Sequence, residues 1–169
     1  MTPADLRRRF SRVRALVLDV DGVLTDGGLY YGPSGEPLKK FNVRDGMGLR
    51  LVRESGIAVA FISGEASSAV SRRAEKLGIE DVFLGVEDKL GALEKVLARR
   101  KVDPAEAAYV GDDVNDLLPM GRVGLPIAVA DAVAEVRKAA RWVTSRRGGD
   151  GAAREVCDNL LKSRAPSDR

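Results

Sequence analysis

Five short apolar runs, each closed by a turn residue, alternate with stretches of helical period, and this alternation limits the folds open to the chain more than any other feature. The runs are VRALVLDV (13–20), IAVAFIS (57–63), DVFLG (81–85), AAYVG (107–111) and LPIAVA (125–130). Each reads as a buried strand. Residues 45–56, 66–78, 87–101, 113–124 and 131–140 carry apolar side chains at helical spacing. Strands and helices in regular alternation build βαβ units, so the expected fold class is α/β, a doubly wound parallel sheet. In such sheets ligands bind beyond the carboxyl ends of the strands. The 169 residues suffice for one ordinary domain with its own core, 1–169.

One segment departs from the alternation. In GGLYYGPSGEPLKKFN (27–42), the runs LYY and PLKKF flank the turn-rich GPSGE, which predicts a β-hairpin. Leu29, Tyr30, Tyr31 and Phe41 place large apolar side chains on it that a domain of this size need not cover, so the hairpin is expected to be a contact between subunits. The last residues, 162–169, are expected to fray.

Composition removes several kinds of chemistry. Histidine is absent and Cys157 is the single cysteine. His-based triads, phosphohistidine, multi-cysteine zinc sites and intrachain disulfides are therefore excluded, and acid–base work falls to carboxylates, Lys or Tyr. Cys157 itself, in the amphipathic REVCDNLLKSR, reads as a small core residue. The net charge of +3 owes much to the tract RRRFSRVR (7–14), which reads as a solvated helical face. With aromatics at 5%, a nucleic-acid arm is disfavoured. No apolar run approaches the roughly 20 residues of a membrane span and the N-terminus lacks a signal-peptide core, so the expected compartment is the cytoplasm.

Acids crowd the ends of two of the predicted strands. LVLDVDGVLTDGG (16–28) runs from apolar residues straight into Asp19 and Asp21. Alone, that pair also fits a simple turn. A second cluster, YVGDDVND (109–116), sets Asp112, Asp113 and Asp116 just past another strand end. If the two strands are central neighbours the carboxylates converge, and each like-charge pair at about 4 Å costs about 4 kcal/mol at an effective dielectric of 20. A cation must then be present. An oxygen-only ligand set selects a hard ion, Mg²⁺ first, with Ca²⁺ or Mn²⁺ behind it, and Mg²⁺ is the usual partner of a phosphate group. Ser63, ending IAVAFIS before Gly64, offers a hydroxyl and a following N–H to a phosphoryl oxygen, or else caps a helix. Lys89, in GVEDKLGAL, is placed to neutralise phosphate charge, or is a surface lysine. The order Asp-x-Asp, Ser, Lys, Asp-Asp, each beyond a successive strand, is far more specific than any single member.

These motifs, DVDGV, FISGE, Lys89 and GDDVND, resemble those of the haloacid dehalogenase superfamily of aspartate-nucleophile phosphatases, and the likeness covers nearly the whole chain. DVDGVLTDG, FNVRDGMG, YVGDDVND, VGLPIAVADA and RRGGDGAAREVCD further resemble the small phosphatases of that superfamily that act on 3-deoxy-manno-octulosonate 8-phosphate (KDO 8-phosphate), an intermediate of lipopolysaccharide synthesis. The resemblance implies a Rossmann-like fold with Asp19 as nucleophile and Asp21 as general acid and base. It further implies Ser63 and Lys89 on the phosphate, and Mg²⁺ held by Asp19, Asp112 and the backbone carbonyl of Asp21. Asp113 and Asp116 then stand behind the ligands. Thr25, Arg44, Gly64 and Glu65 would face the substrate.

The 37 residues between Thr25 and Ser63 and the 25 between Ser63 and Lys89 are already taken by predicted elements, leaving no room for a cap domain. In the resembling subfamily a homotetramer closes each site, hairpins forming a central barrel and a Gly-rich C-terminal segment reaching a neighbour. The counterparts here are hairpin 27–42 and RRGGDG (146–151), with Arg44 on the sugar side or simply a surface Arg at a helix start. Where that subfamily usually reads Thr-Gly-Arg, this chain has Ser63-Gly64-Glu65. An acid there suits hydroxyl recognition in relatives acting on nine-carbon acids such as 2-keto-3-deoxynononic acid 9-phosphate, or is an exposed Glu favoured by a helix dipole. KDO 8-phosphate is the first expectation and the nine-carbon phosphate the second. A signalling receiver domain would place its phosphorylated Asp on a middle strand and its Lys last, and a catalytically silent regulatory module would be marked by loss of Asp19 or Asp21. Neither pattern is found.

Overall fold

The computed structural model describes residues 2–33, 35 and 37–164. Its strands are β1 (Ala15–Leu18), β2 (Tyr30–Tyr31), β3 (Pro37–Leu38), β4 (Ala58–Ile62), β5 (Asp81–Phe83), β6 (Ala107–Gly111), β7 (Leu125–Ala128) and β8 (Trp142–Val143). The helices are α1 (Pro3–Arg12), α2 (Val43–Glu54), α3 (Ser68–Leu77), α4 (Lys89–Arg100), α5 (Leu117–Arg122), α6 (Ala134–Ala139) and α7 (Ala152–Arg164). All strands except β2 and β3 form one six-stranded sheet in the order β5-β4-β1-β6-β7-β8, each neighbouring pair parallel. Numbered within that sheet alone the order is 3-2-1-4-5-6, that of a doubly wound fold.

Each apolar run holds one strand, for a physical reason that β1 shows best. All four of its side chains are fully buried because helices cover both faces of a parallel sheet, so no polar alternation survives in ALVL. The sixth strand, β8, escaped sequence reading. It is two residues long, and it is placed by pairing Trp142 with Ile127 on β7 rather than by any run of its own. Trp142 in turn meets buried Phe10 of α1 edge-on, ring centres 5.2 Å apart, while Arg7, Arg8 and Arg12 face solvent. The basic tract is therefore a solvated helical face.

Helix α7 packs on α2, and two residues of α2 explain how closely. Gly48 has no Cβ to collide with Cys157, whose own Cβ would lie 3.0 Å away. Asp45, buried, accepts the backbone N–H of Arg154 at 2.7 Å and so caps the first turn of α7 from a different helix. Cys157 is wholly enclosed and burial pushes its thiol up, so it serves as a core residue. Residues 162–164 are helical rather than frayed, and 165–169 lie outside the described residues.

The hairpin is present but short, Tyr30 opposite Leu38 and Tyr31 opposite Pro37, and residues 34 and 36 of its turn lie outside the described ones. Phe41 departs from expectation. It bridges to Thr25, packs against the core and lies under the Arg73 guanidinium, 5.8 Å from ring centre to Cζ. Leu38 is the outward residue instead, 70% exposed, beside Leu29, Tyr30 and Tyr31. Val43, Met47 and Leu51, four apart on α2, are exposed apolar residues too and share one face of that helix. Among the described residues, the chain builds only the hairpin, α2 and β4 between Thr25 and Ser63, and only α3 and β5 between Ser63 and Lys89, and these form no cap domain. Among the described residues, no helix is long and apolar enough to cross a membrane.

Candidate active site

The sheet order reverses between β1 and β6, the crevice where ligands bind in doubly wound folds, and both strands end there in acids. The Asp19 N–H still bonds to Val110 O at 3.0 Å, so the ladder between the two strands carries the side chain to the rim of the sheet. The chain then turns tightly through Gly22, whose φ of +86° suits glycine and whose missing Cβ leaves space for the Asp112 carboxylate. At the end of β6, a Cβ on Gly111 would meet that of Asp116 at 2.5 Å. The glycines of both motifs thus let carboxylates approach the backbone.

Asp19, Asp21, Ser63, Gly64, Glu65, Lys89 and Asp112 line one cavity of about 290 Å³, together with Gly27, Leu29, Asp113 and Asn115. Lys89, buried at the start of α4, donates to Asp116 Oδ1 at 2.8 Å and sits 2.9 Å from Asp19 Oδ1. Burial works against its charge, but Asp19 and Asp116 outweigh burial and raise its pKa, so the ammonium stays charged. Asp21 uses both oxygens. Ser63 Oγ donates to Oδ2 at 3.1 Å and Lys39 Nζ to Oδ1 at 2.5 Å. Ser63 Oγ also accepts the Glu65 N–H at 3.1 Å, fixing the turn after β4.

Oxygens of Asp19, Asp112 and Asp116 lie within 4.8 Å of one another. Asp116 is saturated: besides Lys89, it accepts Tyr109 OH at 2.8 Å and the Asp112 N–H at 3.0 Å. Its carboxylate is spent on holding the loop, which leaves Asp19 and Asp112 as the pair free to bind an ion. Burial, then the charge of Asp116, pushes Asp19 up to about 6, with Lys89 opposing. Burial, then the charges of Asp19 and Asp116, pushes Asp112 up to about 8. Asp112 Oδ1 is buried with no hydrogen-bond partner. An orphaned carboxylate oxygen among oxygen donors, in a cluster that resists ionisation, fits a hard divalent cation.

Three sequence expectations land elsewhere. Thr25 is 1% exposed, and its hydroxyl accepts the N–H groups of Gly22 at 3.3 Å and Gly27 at 3.2 Å. It braces the turn from behind and does not face the cavity. Arg44 and Arg146 line a separate cavity of about 560 Å³ with Asp150, Arg154 and Glu155. Gly148 and Gly149, in the Gly-rich segment, press on this chain's own loop after β1, residues 22–26. The Gly149 N–H bonds to Val23 O at 3.0 Å, and a Cβ on either glycine would run into the backbone of residues 22–26. Two residues were missed. Tyr109 had a signal, since a tyrosine in a fully buried strand needs a partner for its hydroxyl. Lys39 had one too: strand alternation puts it on the same side as inward-facing Phe41, while Lys40 points away to Asp26 at 3.1 Å.

With this geometry in hand, the likeness to known proteins is direct. The family model for haloacid dehalogenase-like hydrolases matches residues 85–156. The 3-deoxy-D-manno-octulosonate 8-phosphate phosphatase KdsC of Yersinia pestis is 46% identical over 157 residues, 93% of this chain and 84% of that one. The structure of the Yersinia pestis phosphatase superposes with a TM-score of 0.93 at 45% identity, covering 95% of this chain and 86% of the other. That of the Moraxella catarrhalis phosphatase, in complex with magnesium, phosphate and KDO, gives 0.93 at 36% identity, covering 96% and 93%. Likeness of this extent in both sequence and fold means that the chain belongs to the haloacid dehalogenase-like hydrolases, in the branch of small phosphatases that contains KdsC.

Proposed function

We propose that the protein is a Mg²⁺-dependent phosphatase of a ulosonic acid phosphate, KDO 8-phosphate in the first place, working through an aspartyl phosphate. The observation that carries this reading is the pairing of Asp19 with buried Lys89 in the same cavity as the Asp21–Ser63 hydrogen bond. The substrate follows from the relatives, one of which is named for this activity and another solved with KDO and phosphate.

Asp19 attacks phosphorus in line with the departing sugar oxygen, and Asp21 protonates that oxygen as it leaves. With the sugar gone, Asp21 takes a proton from water as it attacks the aspartyl phosphate, and Asp19 is regenerated. Ser63 Oγ and the N–H of Gly64 hold phosphoryl oxygens, and Lys89 offsets their charge. Asp19, Asp112 and the backbone carbonyl of Asp21 would hold Mg²⁺, which supplies positive charge against the repulsion between carboxylate and phosphate. Leu29, Tyr30, Tyr31 and Leu38 are the surface through which we infer a homotetramer, and the enzyme is read as cytoplasmic, like the intermediate it hydrolyses. Asp19→Asn, nearly isosteric, should leave the fold intact and abolish phosphate release from KDO 8-phosphate. Turnover near that of the wild type would defeat the mechanism.

One observation favours a second substrate. Glu65 lines the cavity, where its carboxylate suits sugar hydroxyls better than a sugar carboxylate. If it reads the sugar, Glu65→Arg changes the ratio of kcat/KM between KDO 8-phosphate and a nine-carbon ulosonic acid 9-phosphate by at least about tenfold, or ~1.4 kcal/mol. An unchanged ratio removes the case for the nine-carbon substrate.

A further inference from the structure

Lys39 has no counterpart among the motif residues, yet it holds the group that moves the proton. It follows β3, and its ammonium group lies between two carboxylates, donating to Asp21 Oδ1 at 2.5 Å and to Glu65 Oε2. Its side chain is enclosed although the strand it comes from lies at the surface. It takes no part in the wall of the cavity around Asp19. Fixing a lysine side chain in one conformation costs entropy, and here two ion pairs offset it. The bonds close a ring: Lys39 to Asp21, Asp21 to Ser63 Oγ, Ser63 to the Glu65 N–H, and the Glu65 carboxylate back to Lys39.

We propose that Lys39 is a positioning residue that gives the two oxygens of Asp21 different tasks, an inference that rests on the phosphatase reading above. Oδ1 is pinned to the hairpin. Oδ2 is held in the cavity by Ser63, and is released when the Ser63 hydroxyl turns to a phosphoryl oxygen. The bond between Asp19 and phosphorus forms as the ester P–O bond breaks, the electron pair leaves with the sugar oxygen, and the proton on Asp21 Oδ2 passes to that oxygen. Without Lys39 the carboxyl group is free to rotate, and nothing separates Asp21 from the like charge of Glu65.

Loss of such positioning weighs on poor leaving groups, which must be protonated, and spares good ones, which depart as anions. Lys39→Met, Lys39→Gln and Lys39→Arg are to be measured on 4-nitrophenyl phosphate, phenyl phosphate and KDO 8-phosphate with Mg²⁺ present. The expected result is that Met and Gln keep kcat on 4-nitrophenyl phosphate within about threefold and lose at least about tenfold on phenyl phosphate. KM should move less than about threefold on both, and Arg should recover much of the loss. Equal losses on the two aryl phosphates, or no loss on either, would overturn the inference, whichever variant gives folded protein. A wild type that cleaves the aryl phosphates but not KDO 8-phosphate defeats the substrate assignment alone, because the aryl pair still decides the role of Lys39. A wild type inert toward all three overturns both.

Discussion

Replacing Asp112 by Asn should stabilise the protein without metal and destabilise it with metal, and the sign of the first effect tests the electrostatics of the site. Asp112 shares a cluster with Asp19 and Asp116 whose oxygens lie within 4.8 Å of one another. At that distance and an effective dielectric of 20, each ionised pair costs about 3 kcal/mol. The protein responds by holding Asp112 protonated up to about 8. A raised carboxyl pKa means that the folded state binds the proton more tightly than the unfolded chain. Stability in EDTA therefore falls as pH climbs past about 4, where the unfolded carboxyl ionises, and levels off above the folded value. Four units would correspond to about 5 kcal/mol. Asp112 is partly open to solvent, and halving for screening leaves about 2–3 kcal/mol. In a chain of this length that is about 5–10 °C in melting temperature. Scanning calorimetry in EDTA at pH 9 should show Asp112→Asn melting higher than the wild type by this amount, the gap closing at pH 5. Millimolar Mg²⁺ should raise the wild type above the variant. A variant that melts lower than the wild type in EDTA at pH 9 would refute the reasoning.

Two further outcomes follow from the packing. Gly149 has φ +64° and no room for a Cβ against the backbone of Thr25 and Asp26, so Gly149→Ala should cost at least about 2 kcal/mol and lower activity, as read by melting and by phosphate release. Gly121, in α5 with nothing near its Cβ position, is the matched control, where Ala should stabilise by up to about 1 kcal/mol. Tyr31 and Leu38, 68% and 70% exposed, are the most exposed large apolar residues of the hairpin among the described residues. Light scattering at micromolar concentration should give a tetramer for the wild type and a smaller species for the double variant Tyr31→Glu, Leu38→Glu, and a monomeric wild type with full activity would remove the case for completion by neighbours.

The sheet was legible because β1, β4, β6 and β7 are buried on both faces and so are written as unbroken apolar runs. The site was legible for a related reason: acids placed after such runs are thrown together at the switch point by topology alone, which is how Asp19 and Asp112 could be paired across 93 positions. What stayed hidden was set by contacts that carry no local pattern. β8 takes its register from β7. Asp45 caps a helix that begins more than a hundred residues later. Thr25 looked like a pocket residue because it follows the acid motif closely, but its short side chain satisfies the backbone of its own turn. Lys39 was obscured by Lys40 beside it, although strand alternation sends the two in opposite directions.

The seating of Gly148 and Gly149 on residues 22–26 also fixes when the enzyme can begin to work. Asp19 follows β1, a strand that cannot be completed until β4 and then β6, both later in the chain, have been synthesised to flank it. Its loop gains its last support only from a segment more than 120 residues downstream. A nascent or prematurely terminated chain ending before that segment would carry Asp19, Asp21, Ser63, Lys89 and Asp112 and still have a slack loop at residues 22–26. Bridging so much sequence makes for slow closure of the native contacts. Activity should therefore appear late and abruptly, tracking the arrival of two glycines rather than of the acids at the strand ends.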